Sequence, residues 1–134
     1  TEYKTHMSLW AILAAPLLAG NDLQHMSSDI LQILTNREVI AVDQDAAGKQ
    51  GKLVTKNGDV EAWVKELGDG SKAVGLFNPG PSDASVSVNW ADLSFSHTPK
   101  HVRDLWVHKD VAAEGGTYSV SVPSHGVVLL RVSE

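Results

Sequence analysis

No cysteine occurs in the chain, so neither a disulfide nor a thiolate-bound metal can hold it together. That absence leaves the compartment undecided, because a secreted or periplasmic protein need not carry cysteine. No apolar run approaches the roughly 18 residues of a membrane-spanning helix. Met7 to Ala19 is apolar enough to imitate a signal-peptide core, but Glu2 rather than a basic residue stands ahead of it, and it is read as helix instead. Basic runs are also missing. Lys and Arg total 11 against 16 Asp and Glu, for a net charge of −5, which argues against a nucleic-acid partner. Repeats and low-complexity tracts are absent. What is present is 43% apolar content over 134 residues, enough for one packed domain or a small domain plus part of another.

The first 51 residues read as helix, short strand, helix. Tyr3, Met7, Trp10 and Leu13 recur at helical spacing from Glu2 to Ala14, and Pro16 ends that helix. Leu17 to Ala19, stopped by Gly20, has the continuous apolar character of a strand buried on both faces of a parallel sheet. Ser27 or Ser28 can cap a second helix whose stripe is Ile30, Leu31, Ile33 and Leu34, with Asp29 in its first turn. Asn36 can cap a third, from Arg37 to Gln44. One parallel strand has no neighbours to pair with, so this stretch reads as a piece of a larger α/β layer.

Helical periodicity stops at the small, polar stretch Ala46 to Gly51, which reads as a linker. Lys52–Lys56 and Val60–Leu67 then flank Asn57-Gly58, a tight-hairpin signal. Further strands are expected at Lys72–Phe77, Val86–Trp90, Val102–Val107, Tyr118–Val122 and Val127–Val132. About seven strands separated by turns is the pattern of an antiparallel Greek-key sandwich or barrel.

Chemistry-bearing residues are sparse. His6, His25, His97, His101, His108 and His125 fall in different elements without ligand spacing, and Pro99 removes the one pair that could share a helix face. No metal and no cofactor is expected. Asp43 and Asp45 stand two apart at a helix end, where side chains diverge, and read as end and linker polarity rather than as a catalytic pair. Ser124-His125-Gly126 lacks the surroundings of a nucleophile and reads as a turn. Trp63, Trp90 and Trp106 read as core, with sugar stacking the competing role. Asn21 and Asp22 follow the short strand directly. They either sit beside a site or cap the strand-to-helix turn.

Residues SLWAILAAPLLAGNDL and ILTNREVIAVDQDAAGKQG together resemble the end of the catalytic barrel of family 27 glycoside hydrolases, the α-galactosidases or melibiases. Tyr3 to Gly51 carries most of the likeness, and the remainder fits the β domain that follows the barrel in that family. The resemblance implies an α/β plus all-β protein: residues 1–50 as the last helix–strand–helix of a (β/α)8 TIM barrel, and 51–134 as a C-terminal antiparallel Greek-key β-sandwich. It implies retaining hydrolysis of terminal α-galactosides through two aspartates. Those aspartates lie on earlier strands in the family, and nothing in this chain matches them, so no catalytic residue is assigned. Asn21 and Asp22 are expected at the rim of the substrate site in a supporting role. The implied partners are a galactoside, in the complete enzyme, and the missing N-terminal barrel portion. Failing that portion, self-association is expected through Met7, Trp10, Leu13, Leu17 and Leu18. α-N-Acetylgalactosaminidase activity is the close competitor. A non-catalytic carbohydrate-binding or scaffolding sandwich with a helical arm is the alternative of a different class.

Overall fold

The computed structural model describes residues 1–134. Three helices come first: α1 (Glu2–Leu13), α2 (Ser28–Leu34) and α3 (Arg37–Asp43). Their ends follow local chemistry. Ser27 Oγ accepts from Ile30 N at the start of α2, and Asn36 Oδ1 accepts from Glu38 N and Val39 N at the start of α3. Ala14 closes α1 in the left-handed conformation.

Eight strands follow: β1 (Lys52–Asn57), β2 (Val60–Glu66), β3 (Lys72–Asn78), β4 (Ala84–Asn89), β5 (His101–Asp104), β6 (Lys109–Val111), β7 (Thr117–Val122) and β8 (Gly126–Ser133). Every pairing is antiparallel. One sheet has the order β1-β2-β3-β8-β5-β6, and β4-β7 form the second. The chain crosses between the sheets after β3, β4, β6 and β7. Those crossings put β8 in the middle of the large sheet, between β3 and β5.

Side-chain alternation assigns the faces. Val74, Leu76, Leu130 and Val132 point between the sheets, against Val86, Val88 and Trp90. Ala73 and Leu129 point the other way, against Met7, Ala11, Ile12, Val39 and Val42 of the helices. The large sheet is therefore buried on both faces at β3 and β8, and the molecule has three layers: helices, large sheet, small sheet. This explains why Ala73 to Phe77 is continuously apolar rather than alternating.

Four sequence expectations need correction. Leu17 to Ala19 forms no strand, because no parallel neighbour lies within this chain to complete a ladder, and Leu18 is 87% exposed. Met7 and Trp10 are neighbours on α1, about 60° apart around a helix of 3.6 residues per turn, yet they differ in burial. Met7 packs on the sheet at 3% exposure while Trp10 looks outward at 45%. The expected strand Val102–Val107 ends at Asp104, whose carboxylate accepts from Trp106 N and Val107 N and turns the chain into β6. Trp90 opens a 3₁₀ turn (Ala91–Leu93) rather than ending β4.

The contact between helices and sheet centres on Lys65. It is fully buried, and its Nζ donates to Ala11 O (2.9 Å), Val42 O (2.6 Å) and, at 3.4 Å, Asp43 O. Those carbonyls are at the C-terminal ends of α1 and α3, where backbone acceptors lack helical donors and the dipole favours a cation. Two more links join the layers. Gly51 N donates to Ile12 O at 2.8 Å. A Cβ at Gly51 would collide with the Ile12 side chain and stand 2.9 Å from its carbonyl oxygen, so this crossing admits only glycine. Asp45 accepts from Gly68 N and Ala47 N, fixing the connecting stretch to the β2–β3 turn.

Replacing Lys65 by Ala removes the donor from two helix ends and leaves a cavity, at an expected cost of about 2–4 kcal/mol. Lys65→Met keeps the stem and should cost less. Urea denaturation of both variants checks this, and equal midpoints for Lys65→Ala and the parent would refute it.

Candidate functional site

The outward side of the helical layer is the most unusual surface of the molecule. Tyr3 and Trp10 project from α1 away from the sheet at 65% and 45% exposure, and Leu18, Leu23 and Leu31 are also exposed. Two adjoining hollows run along it. One, of about 290 Å³, is lined by Tyr3, His6, Trp10, Leu18, Asn21 and Ile33 among others. The second, of about 470 Å³, lies among Trp10, Leu17, Leu18, Leu34, Ile40 and Gln44. A helix apolar on two sides belongs between two layers, yet α1 has a layer on only one. Contiguous apolar surface of this kind marks an interface.

Asn21 lines the first hollow. Asp22 does not. Its Oδ1 accepts from Gln24 N (2.9 Å) and His25 N (3.2 Å), and its Oδ2 lies 2.8 Å from His25 Nδ1. The His25 ring first, and the two backbone N–H groups next, hold the Asp22 carboxyl below its ordinary range. Asp22 is exposed, so it shapes a surface loop rather than satisfying buried donors.

The other candidates fall apart as chemistry. Asp43 is buried, with Oδ1 unpaired and Oδ2 accepting from Gln44 Nε2, while Asp45 is taken up by the β2–β3 turn. Ser124 Oγ donates to Gly80 O, and the His125 carbonyl accepts from Thr5 Oγ1 at 2.8 Å, so this turn ties the sandwich to α1. No three His, Cys, Asp or Glu side chains are grouped as a metal site would need. Of the tryptophans, Trp90 is buried, whereas Trp63 and Trp106 are only half-buried. Trp106 Nε1 donates to Ser8 Oγ at 2.8 Å.

One polar cluster escaped sequence reading. Arg103 on β5 reaches Glu38 on α3 through two nitrogens, Nε at 2.6 Å and Nη2 at 3.0 Å, and Asp110 on β6 through Nη1. His108 Nδ1 lies 2.6 Å from the same Glu38 carboxylate. His108 has φ 56°, an uncommon conformation for a residue with a side chain. The four residues are 65 to 72 positions apart between helix and hairpin, so no local pattern announces them. Arg103 chiefly, with help from His108, holds the Glu38 carboxyl down to about 2.

The family described as "Alpha galactosidase C-terminal beta sandwich domain" matches residues 57–132, and that described as "Alpha galactosidase A" matches residues 1–45. An α-galactosidase of Coffea arabica is 41% identical over 93% of this chain and 33% of its own length. The crystal structure of α-galactosidase I from Mortierella vinacea superposes with a TM-score of 0.89 at 32% identity, over 98% of this chain and 35% of that one. A family 27 β-L-arabinopyranosidase from Geobacillus stearothermophilus gives 0.90 at 29% identity, over 100% of this chain and 31% of that one. The chain thus spans about a third of the length of the curated relatives it matches.

Glu38 gives a pH test. Its folded pKa of about 2 lies below the 4.5 of a free glutamate. Its contribution is therefore present above pH 4.5 and is lost as pH falls toward 2. The urea midpoint should drop through that window, and Glu38→Gln should flatten the drop. An unchanged pH profile in Glu38→Gln would refute the assignment.

Proposed function

This chain belongs to the α-galactosidase (melibiase) family of glycoside hydrolases, and on that premise we propose that it supplies the last barrel elements and the C-terminal sandwich of an enzyme hydrolysing terminal α-galactosides. The observation that carries this reading is the coincidence of two facts. The likeness to α-galactosidases runs through almost the whole chain, and the one open apolar face lies on the residues matched to the barrel. In this reading the outward face of α1, the segment Leu17–Asn21 and the apolar residues of α2 pack against the preceding barrel elements. Those elements carry both catalytic carboxylates of a retaining mechanism. Leu17–Ala19 then gains parallel neighbours and becomes the strand that it does not form alone.

The boundary between barrel and sandwich is proposed at residues 50 and 51. Asn21 and Asp22 are proposed at the rim of the substrate site, where Asp22 keeps the loop after Gly20 in shape and takes no part in bond cleavage. The residues that distinguish a galactoside from its 2-acetamido analogue are assigned to the part of the enzyme outside this chain. The arabinopyranosidase with nearly the same fold here supports that placement, since this portion accompanies more than one sugar specificity.

The chain alone should release no nitrophenol from nitrophenyl α-galactoside, because no acid and nucleophile pair is present. Adding the N-terminal two-thirds of the Coffea arabica relative, cut before its matching region, should restore turnover that neither piece shows alone. Asp22→Ala in the reconstituted enzyme should retain turnover with a lowered melting temperature. Turnover by the isolated chain, or a stable complex without turnover, would overturn the reading.

Brief trypsin treatment should cut first at Lys49, exposed on the connecting stretch, or at Lys52, exposed at the first position of β1. The helical piece should nevertheless co-elute with the sandwich until denatured, because Met7, Ile12, Val39 and Val42 are packed on Leu129 and Ala73. First cuts within Lys72–Trp90 would contradict the boundary.

A further inference from the structure

A second groove adjoins the apolar face, sharing Tyr3, Ile30 and Ile33 with its first hollow, where the start of α1 and α2 meets the β5–β6 turn. Its volume is about 500 Å³, within the range of small-molecule sites, roughly 300–1,000 Å³. Trp106 and Tyr3 supply aromatic surface, and Lys4, Asp29, Gln32 and His108 supply polar groups.

Three features separate this groove from ordinary surface. The polar ends of Tyr3, Asp29 and Gln32 have no protein partner, and Lys4 meets only the Trp106 ring, its Nζ 5.4 Å from the centroid. The aromatic wall is held in place, because the Trp106 indole N–H donates to Ser8 Oγ and its backbone N–H to Asp104. The His108 wall is held too, by Glu38, which Arg103 grips through two nitrogens. His108 Nδ1 is engaged there while Nε2 has no partner. Its left-handed backbone is the kind of local strain that persists where surrounding contacts over-determine it.

Charge indicates the kind of ligand. Lys4 and Asp29 oppose one another, so the groove selects neither an anion nor a cation. Donors and acceptors of several types beside a half-exposed indole suit a neutral, polyhydroxylated molecule with one apolar face, the description of a pyranose ring.

We infer that this groove is an accessory saccharide-binding site, in which Trp106 provides the stacking surface and Asp29, Gln32 and His108 Nε2 bond the hydroxyls. The choice of a galactoside as first ligand rests on the function proposed above; the saccharide site itself does not.

The test uses the 134-residue chain and the four indole N–H resonances of Trp10, Trp63, Trp90 and Trp106. Raffinose, and maltose in parallel, are titrated into the tens of millimolar. A saturable shift of the Trp106 indole, with Trp90 and Trp10 unmoved, is the expected result. Asp29→Ala combined with Gln32→Ala should weaken binding at least tenfold while the free Trp106 resonance keeps its position, showing an intact fold. Binding of maltose alone upholds the saccharide site and counts against the galactoside reading. Raffinose binding alongside failed reconstitution of activity counts against the enzyme reading alone. No saturable shift with either sugar, a response at Trp10 instead, or equal affinity in the double variant would overturn the inference.

Discussion

One ammonium group holds the helical layer to the sheet. Lys65 leaves β2 on the face opposite the sandwich core and ends among the terminal carbonyls of α1 and α3. Burial pushes its pKa down, and Asp43 and Asp45 oppose that shift. The charge is retained usefully because it meets carbonyls at helix ends, where backbone acceptors outnumber helical donors. Around that contact the remaining links fall into place: Gly51 passes under Ile12, Asp45 holds the β2–β3 turn, and the apolar faces of α1 and α3 close over Ala73 and Leu129.

A sheet covered on both faces makes the helices part of the sandwich's stability rather than an appendage. α1 covers one side with Met7, Ala11 and Ile12, and presents Tyr3 and Trp10 on the other. In the proposed enzyme it is therefore the middle of a stack. The sandwich fixes the position of α1, and α1 offers a rigid, apolar bearing for whatever packs outside it. This gives the β domain a mechanical part in the proposed enzyme without giving it any catalytic group.

Much of the fold is legible locally. Ser27 and Asn36 announce their helices through their own hydrogen bonds, and Asn57-Gly58 marks a hairpin because Gly58 takes a positive φ there. What is not legible depends on distant partners. A strand without a ladder, Leu17–Ala19, has the composition of a strand and none of its bonds. Lys65 reads as an exposed strand residue until a second layer is known to cover that face. Spacing counts Met7 and Trp10 in one stripe of α1 and does not tell the buried residue from the exposed one. The Arg103–Glu38–His108 cluster joins residues some 65 positions apart, and the half-buried Trp106 looks in sequence like any core aromatic. The family likeness spoke to the protein's ancestry more clearly than any local pattern did.

The place of β8 governs when this structure can exist during synthesis. Gly126–Ser133 pairs with β3 and β5 and supplies Leu129 to the helical layer and Leu130 and Val132 to the sandwich core. Both cores lack a wall until that strand has left the ribosome. Strands β1 to β3 can form a meander earlier, but without β8 the apolar residues of β3 lack their neighbours in both cores. Neither the docking of α1 nor the closing of the sandwich can finish ahead of these residues, so folding here is gated by the arrival of one late strand. A ribosome that stalls before Gly126 leaves α1 and β3 with their apolar surfaces open together, the condition in which nascent chains aggregate.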